Sequence, residues 1–182
     1  MKSFAQEMAF YSAYHQERRN VLIHVVGVPT ITFSLLTLMS LWNLYTFENG
    51  FALTFAMIFL AATLLYYFYL DLTFGLVSTI VYGGLAVGAH YVALQGTTPA
   101  LVVFGAGQLL GWGTQIYGHA AFEGNRPAFL DNLFQALFSA PLFVIADIFF
   151  HLGLRKDLES EIKSVLREQG RLREDSTGRA TA

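Results

Sequence analysis

Phe51–Leu70 reads FALTFAMIFLAATLLYYFYL, a stretch with no charged side chain and with Tyr66, Tyr67 and Tyr69 gathered at its end. A helix needs about 20 apolar residues to cross the ~30 Å hydrocarbon core of a bilayer. Aromatic rings collect where such a helix meets the headgroups. Similar runs lie on either side. Upstream, Val21–Phe47 is apolar, with Pro29 early in it, where a kink or a boundary turn is expected. Glu48-Asn49-Gly50 then signals a turn. Downstream, Asp71 marks a very short loop before Leu72–Leu94, which carries Gly83, Gly84 and Gly88. Gln95-Gly96-Thr97-Thr98-Pro99 is a further turn, and Ala100–Gly118 comes next with Gly105, Gly107, Gly111 and Gly113. Gly107 and Gly111 have the GxxxG spacing that lets helices approach closely in lipid, a weak signal alone because glycine is common in membrane helices. That stripe suits either internal packing or a dimer, so the oligomeric state stays open. A fifth run, Leu133–Leu154, is interrupted by Gln135, Pro141, Asp147 and His151.

Composition agrees with a membrane protein. Of 182 residues, 54% are hydrophobic and 13% charged, about half the charged share of a typical soluble domain. The formal net charge of −2 argues against a nucleic-acid partner. Cysteine is absent, which excludes disulfides, thiolate metal ligands and cysteine nucleophiles. The polar, mixed-charge stretch Met1–Arg19 does not read as a cleavable signal. Residues 4–19 carry a rough helical apolar stripe (Phe4, Met8, Tyr11, Tyr14), expected to form an interfacial amphipathic helix.

Charge position sets the topology. Seven of the eleven basic residues lie after residue 154, and Lys2, Arg18 and Arg19 flank the first run. The positive-inside rule puts both ends in the cytoplasm, which requires an even number of crossings. The fifth run, with its proline and ionisable residues, is the weakest span and is assigned a re-entrant or tilted interfacial position. The expected fold is therefore an all-α, multi-pass integral membrane helical bundle of about four spanning helices plus that element. Residues 1–154 are expected to form the membrane-embedded catalytic domain and 155–182 a basic cytosolic tail, in a bacterial inner membrane or the endoplasmic reticulum.

Imidazoles at a membrane boundary are costly unless something uses them, and histidine is the commonest metal ligand among side chains. His15 and His24 flank the start of the first run, and His119 stands at the end of the fourth. His15 and His24 are nine residues apart, so on one straight helix they would point in roughly opposite directions. They converge only if the chain bends between them or if they come from two elements, and the Arg19-Asn20 region is the expected break. Gln115, His119 and Glu123 are spaced i, i+4, i+8 and share one face of a continuing helix. A carboxylate one turn from a ligating histidine suits a partner for its other ring nitrogen. Arg126 is the one basic residue of the polar connection 119–132 and suits a bidentate grip on a substrate carboxylate, or an ion pair with Glu123 or Asp131. His90, near the end of the third run, is either a helix–helix hydrogen-bonding group or a ligand; His151 is expected to be interfacial rather than a ligand. Asp147 is an intramembrane carboxylate and so functional or paired by default. Without thiolates, the ligand set suits Fe, Zn or Mn, and imidazoles with open positions favour iron.

Tyr14-His15-Gln16-Glu17-Arg18-Arg19-Asn20-Val21-Leu22-Ile23-His24, with Val28-Pro29-Thr30 after it, resembles the N-terminal motif of the membrane 2-hydroxy fatty acid dioxygenases. Gly118-His119-Ala120-Ala121-Phe122-Glu123-Gly124-Asn125-Arg126-Pro127-Ala128 resembles their second motif, and Asp131-Asn132-Leu133-Phe134-Gln135 and Ala140-Pro141-Leu142-Phe143 resemble the segments that come after that motif in the family. The likeness runs from about Phe10 to Gly153, and the middle runs match in character only. It implies an Fe(II)-dependent enzyme that cleaves a 2-hydroxy long-chain fatty acid with O₂ and leaves an acid one carbon shorter. In fungal members this α-oxidation serves phytosphingosine degradation. Carried over, His15, His24 and His119 become candidate iron ligands, with His90 a candidate fourth; read from the residues themselves, Glu123 and Arg126 are the catalytic candidates, Arg126 placed to steer the carboxylate. Asp147 stands where the family tends to have Glu. Two other classes remain as rivals: a metal-dependent lipid hydrolase, favoured by anaerobic activity with Zn, and a non-catalytic scaffold or carrier, favoured by function that survives loss of His24 and His119.

Overall fold

The computed structural model describes residues 3–124 and 135–173. The chain is mostly helical: α1 (Phe4–Ser12), α2 (Arg18–Met39), α3 (Phe55–Leu70), α4 (Leu72–Leu94), α5 (Thr97–Gly118), α6 (Ala140–His151) and α7 (Lys156–Glu168). Short π-helical segments, His119–Glu123 and Gln135–Ser139, extend α5 and lead into α6. The expected all-α fold gains one departure. Asn43–Thr46 (β1) and Ala52–Thr54 (β2) pair as an antiparallel hairpin. The hairpin takes the end of the first apolar run and the start of the second, so α3 spans 16 residues rather than the full stretch from Phe51.

Helix boundaries follow local chemistry. The Ser3 hydroxyl accepts from Gln6 N–H at 3.3 Å and Gln6 Oε1 accepts from Ser3 N–H at 3.0 Å, a reciprocal cap that starts α1. Asp71 ends α3 and caps α4, its carboxylate accepting from Phe74 N–H at 3.0 Å. Pro29 makes no turn; α2 runs through it as one element. Among the described residues, α2 and α4 are each long and apolar enough to cross a membrane. The segment Leu137–His151 with Lys156–Glu168 passes that test only as a pair bent by 114°, the geometry of a broken span or a re-entrant loop.

The chain divides into two compact units, Gly27–Gly113 and the combination of Met1–Val26 with Thr114–Ala182. In the first, α3 packs against α4 as a helical hairpin, and Leu36, Ala56 and Ala89 are buried together with Phe33 and Phe59 against them. The two GxxxG glycines serve internal packing. A Cβ on Gly107 would meet Ser34 Cβ at 2.4 Å, and one on Gly111 would meet Ile31 Cγ1 at 2.4 Å and the Gly27 carbonyl at 3.2 Å. Gly83, Gly84, Gly105 and Gly113 have nothing within 4 Å of that position. In the second unit, α1 packs on α7 and α6. Helix α1 ends at Ser12, well short of Arg19, and buries Phe4, Ala5, Met8, Ala9 and Tyr11. The basic segment after Leu154 begins with α7, whose Ile162 and Leu166 are buried.

Candidate metal centre

The break between α1 and α2 makes the site. Residues 13–17 form it, earlier than Arg19-Asn20, and His15 lies within it while His24 sits in the second turn of α2. Leaving the helix lets His15 turn back beside His24. His119 opens the π-helical segment that ends α5, a local widening that often accompanies functional sites.

The three rings form a tight triangle. Their centroids are 4.3 Å apart for His15–His24, 4.7 Å for His15–His119 and 4.9 Å for His24–His119. One ring nitrogen from each lies within 4.8 Å of the other two, and all three residues are buried. Two tautomers are set by the backbone. His15 Nδ1 is 2.8 Å from the Tyr11 carbonyl and His24 Nδ1 is 2.9 Å from the Asn20 carbonyl. A carbonyl only accepts, so both Nδ1 atoms carry the proton and both Nε2 atoms keep a lone pair. His15 Nε2 and His119 Nδ1 are buried with no hydrogen-bond partner. Leaving such atoms orphaned is expensive, and a cation at the centre would satisfy them. Burial, then the neighbouring rings of His24 and His119, hold the His15 pKa well below its ordinary value. Burial lowers that of His119 to about 4. Both rings are neutral near pH 7, the form that binds metal. The group has the composition and spacing of a site that could hold a metal ion.

Glu123 braces this triangle. It is 3% exposed. Its Oε1 accepts from Gln16 N–H and Glu17 N–H, each at 2.8 Å, and from Asn20 Nδ2 at 3.3 Å. These donors immediately follow His15 or precede His24. The carboxylate therefore ties both histidine-bearing segments to the one that carries His119. Arg173 closes the outer side, its Nη1 reaching Glu123 Oε2 at 3.3 Å and its Nη2 the Glu123 carbonyl at 3.0 Å. Gln16 adds a strap, donating to the Arg171 carbonyl at 2.9 Å and accepting from Arg173 N–H at 2.6 Å. Close packing completes the brace: a Cβ on Gly118 would meet Asn20 Oδ1 at 2.5 Å.

Of the residues singled out from sequence, the structure gathers His15, His24, His119 and Glu123, with Gln115 buried nearby in sequence. His90 is on α4, in the other compact unit, and is not in the three-histidine group. Arg126, Pro127 and Asp131 lie outside the described residues. Asn20, Gln16 and Arg173 were missed as bracing groups. Asn20 was legible inside the motif between the two histidines, whereas Arg173 looked like one more cation in a charged tail.

Comparisons with known proteins agree with this geometry and are specific. The family described as Mpo1-like, 2-hydroxy-palmitic acid dioxygenase Mpo1-like, matches residues 1–152. A yeast protein, the 2-hydroxy-palmitic acid dioxygenase MPO1 of Saccharomyces cerevisiae, is 33% identical over 159 residues, covering 86% of each chain. No solved structure matches. Residues 1–152 contain all three histidines and Glu123. The chain belongs to the Mpo1-like family.

Proposed function

We propose that this protein is an Fe(II)-dependent dioxygenase that shortens 2-hydroxy long-chain fatty acids by one carbon. The three buried imidazoles carry the proposal, because two of them are locked by backbone carbonyls with their Nε2 lone pairs free. Membership of a family named for a 2-hydroxy-palmitic acid dioxygenase supplies the substrate class. His15, His24 and His119 would hold the iron. Bound there, the ion would supply open positions for O₂ and for chelation by the substrate's hydroxyl and carboxylate oxygens. The stoichiometry closes without another reductant: R–CHOH–COOH and O₂ give R–COOH, CO₂ and water. Four electrons leave the two end carbons and four enter O₂.

The chain's own residues bind, orient and exclude water. Burial of the triangle keeps bulk solvent from the reacting carbons. Glu123 is assigned a positioning role, since its carboxylate already holds the backbone beside His15 and the Asn20 side chain. Arg126 is retained as the group that steers the substrate carboxylate. The proposed membrane arrangement has four spans, formed by α2, α3, α4 and α5, with α6 and α7 re-entrant and both termini cytosolic.

Metal analysis of protein purified in detergent without chelators tests this directly. About one iron per chain is expected, with O₂ consumed only when a 2-hydroxy acid is supplied. Turnover at full rate without iron, or hydrolysis supported by zinc under anaerobic conditions, overturns it.

A further inference from the structure

A cavity of about 440 Å³ lies within the unit that holds the triangle, with His15 in its wall. That volume falls in the ~300–1,000 Å³ range of small-molecule sites. Its apolar surface comes mainly from three helices (Val21, Leu22 and Val25 of α2, Ile148 of α6, Ile162 and Leu166 of α7), with Leu152 and Leu172 added from outside them. The α2 and α7 contributions keep helical spacing, so each helix presents one stripe to the cavity. The charged groups of the wall largely answer one another. Arg18 Nη2 is 3.1 Å from His151 Nε2, and Lys163 Nζ is 2.6 Å from Glu159 Oε1. Asp147 Oδ2 is buried with no hydrogen-bond partner. The surface left on offer is hydrocarbon that reaches a histidine of the triangle.

We propose that this cavity holds the acyl chain of the 2-hydroxy acid, with the acid's head at His15, and that α7 sets the chain length accepted. The proposal rests on the dioxygenase function. The family match ends at residue 152, and α7 begins at Lys156. The wall formed by Ile162 and Leu166 is thus contributed by a segment outside the matched residues, where this chain can tune specificity while keeping its metal ligands. Leu22 lines the cavity and is also 51% exposed on a helix able to cross a membrane. It offers a lipid-embedded substrate a lateral way in.

The experiment compares kcat/KM for 2-hydroxyhexadecanoate and 2-hydroxyoctanoate in the iron-loaded full-length protein. Ile162→Phe and Leu166→Phe should lower the long-to-short ratio about tenfold or more. Ile162→Ala should raise it. A ratio that stays at the wild-type value in all three variants overturns the proposal. Binding of the fluorescent conjugated acid cis-parinaric acid is measured in parallel and needs no turnover. If wild-type protein binds it and Ile162→Phe binds it at least tenfold more weakly, the cavity assignment stands even where oxidation is not observed and the dioxygenase function fails. Equal binding by wild type and Ile162→Phe refutes the cavity assignment whether or not the enzyme is active.

Discussion

The two compact units bury different kinds of polar group. Gly27–Gly113 buries mainly hydroxyls, and several of these bond to their own helix: Thr37 Oγ1 to Phe33 O at 2.9 Å, Thr63 Oγ1 to Phe59 O at 2.8 Å, Ser34 Oγ to Ile31 O at 3.0 Å. Its outward side chains are large and apolar, with Leu65, Ile80 and Leu109 each at least 70% exposed. The other unit buries three imidazoles, Asn20, Gln115 and a carboxylate; Asn20 and the Glu123 carboxylate meet across 103 residues of chain, while His15 and His24 each bond a carbonyl four residues back. A hydroxyl that folds back on its own turn costs nothing tertiary and suits a helix facing lipid. A buried carboxylate survives only where donors converge on it, and those of Glu123 come from a distant segment. One unit turns large apolar side chains outward, and the other gathers the three histidines.

The contrast can be broken most severely at the triangle. His24→Ala or His119→Ala is expected to reduce bound metal from about one per chain to background and to abolish turnover, while the detergent-purified protein remains helical by circular dichroism. Full metal retention in both variants would falsify the site. Glu123→Ala should act one step further out. It leaves the Gln16 and Glu17 N–H groups and Asn20 without their acceptor, and an outer partner of this kind is worth about 10–100-fold in metal affinity. Competition against a graded chelator measures it, and an affinity equal to wild type would assign Glu123 to fold alone.

Glycines sharpen the comparison, because tight glycines lie in both units. Gly118→Ala presses on Asn20 and should weaken metal binding several-fold. Gly111→Ala presses on Ile31 and the Gly27 carbonyl and should cost about 1–3 kcal/mol of stability, leaving metal affinity alone. Thermal denaturation alongside metal titration separates the two. Reversed results would mean that the units are not functionally distinct. The smallest effect is expected from Thr63→Val, which removes a hydroxyl that only answers its own helix. A shift beyond about 1 kcal/mol in the same denaturation assay would show that the Gly27–Gly113 unit depends on polar contacts after all.

Much of this was legible in particular residues. The uncharged stretch from Phe51 to Leu70 and the turn at Asp71 predicted helices, since periodicity and charge act locally; the polar interruptions of Leu133–Leu154 pointed to a re-entrant or tilted element, whereas the 114° bend falls after His151. The hairpin Asn43–Thr54 was not foreseen. Its strands pair only across a turn, and apolar content alone does not distinguish a short strand from the end of a helix. His15, His24 and His119 stood out because ionisable groups beside apolar runs are costly. That they converge required a chain break, and its position came out at residues 13–17, before the expected Arg19-Asn20.

By itself, the order of side chains determined that the chain is largely helical, that several segments are strongly apolar, and which three imidazoles stand beside them. Each of those properties is set by residues within a turn or two of one another. Only the tertiary structure decided that the triangle closes without His90 among the described residues, that Glu123 clasps the backbone inside the break and the Asn20 side chain after it, and that α7 walls a cavity reaching His15. Those outcomes depend on groups that meet across more than a hundred residues of chain, a distance over which periodicity and local propensity carry no information.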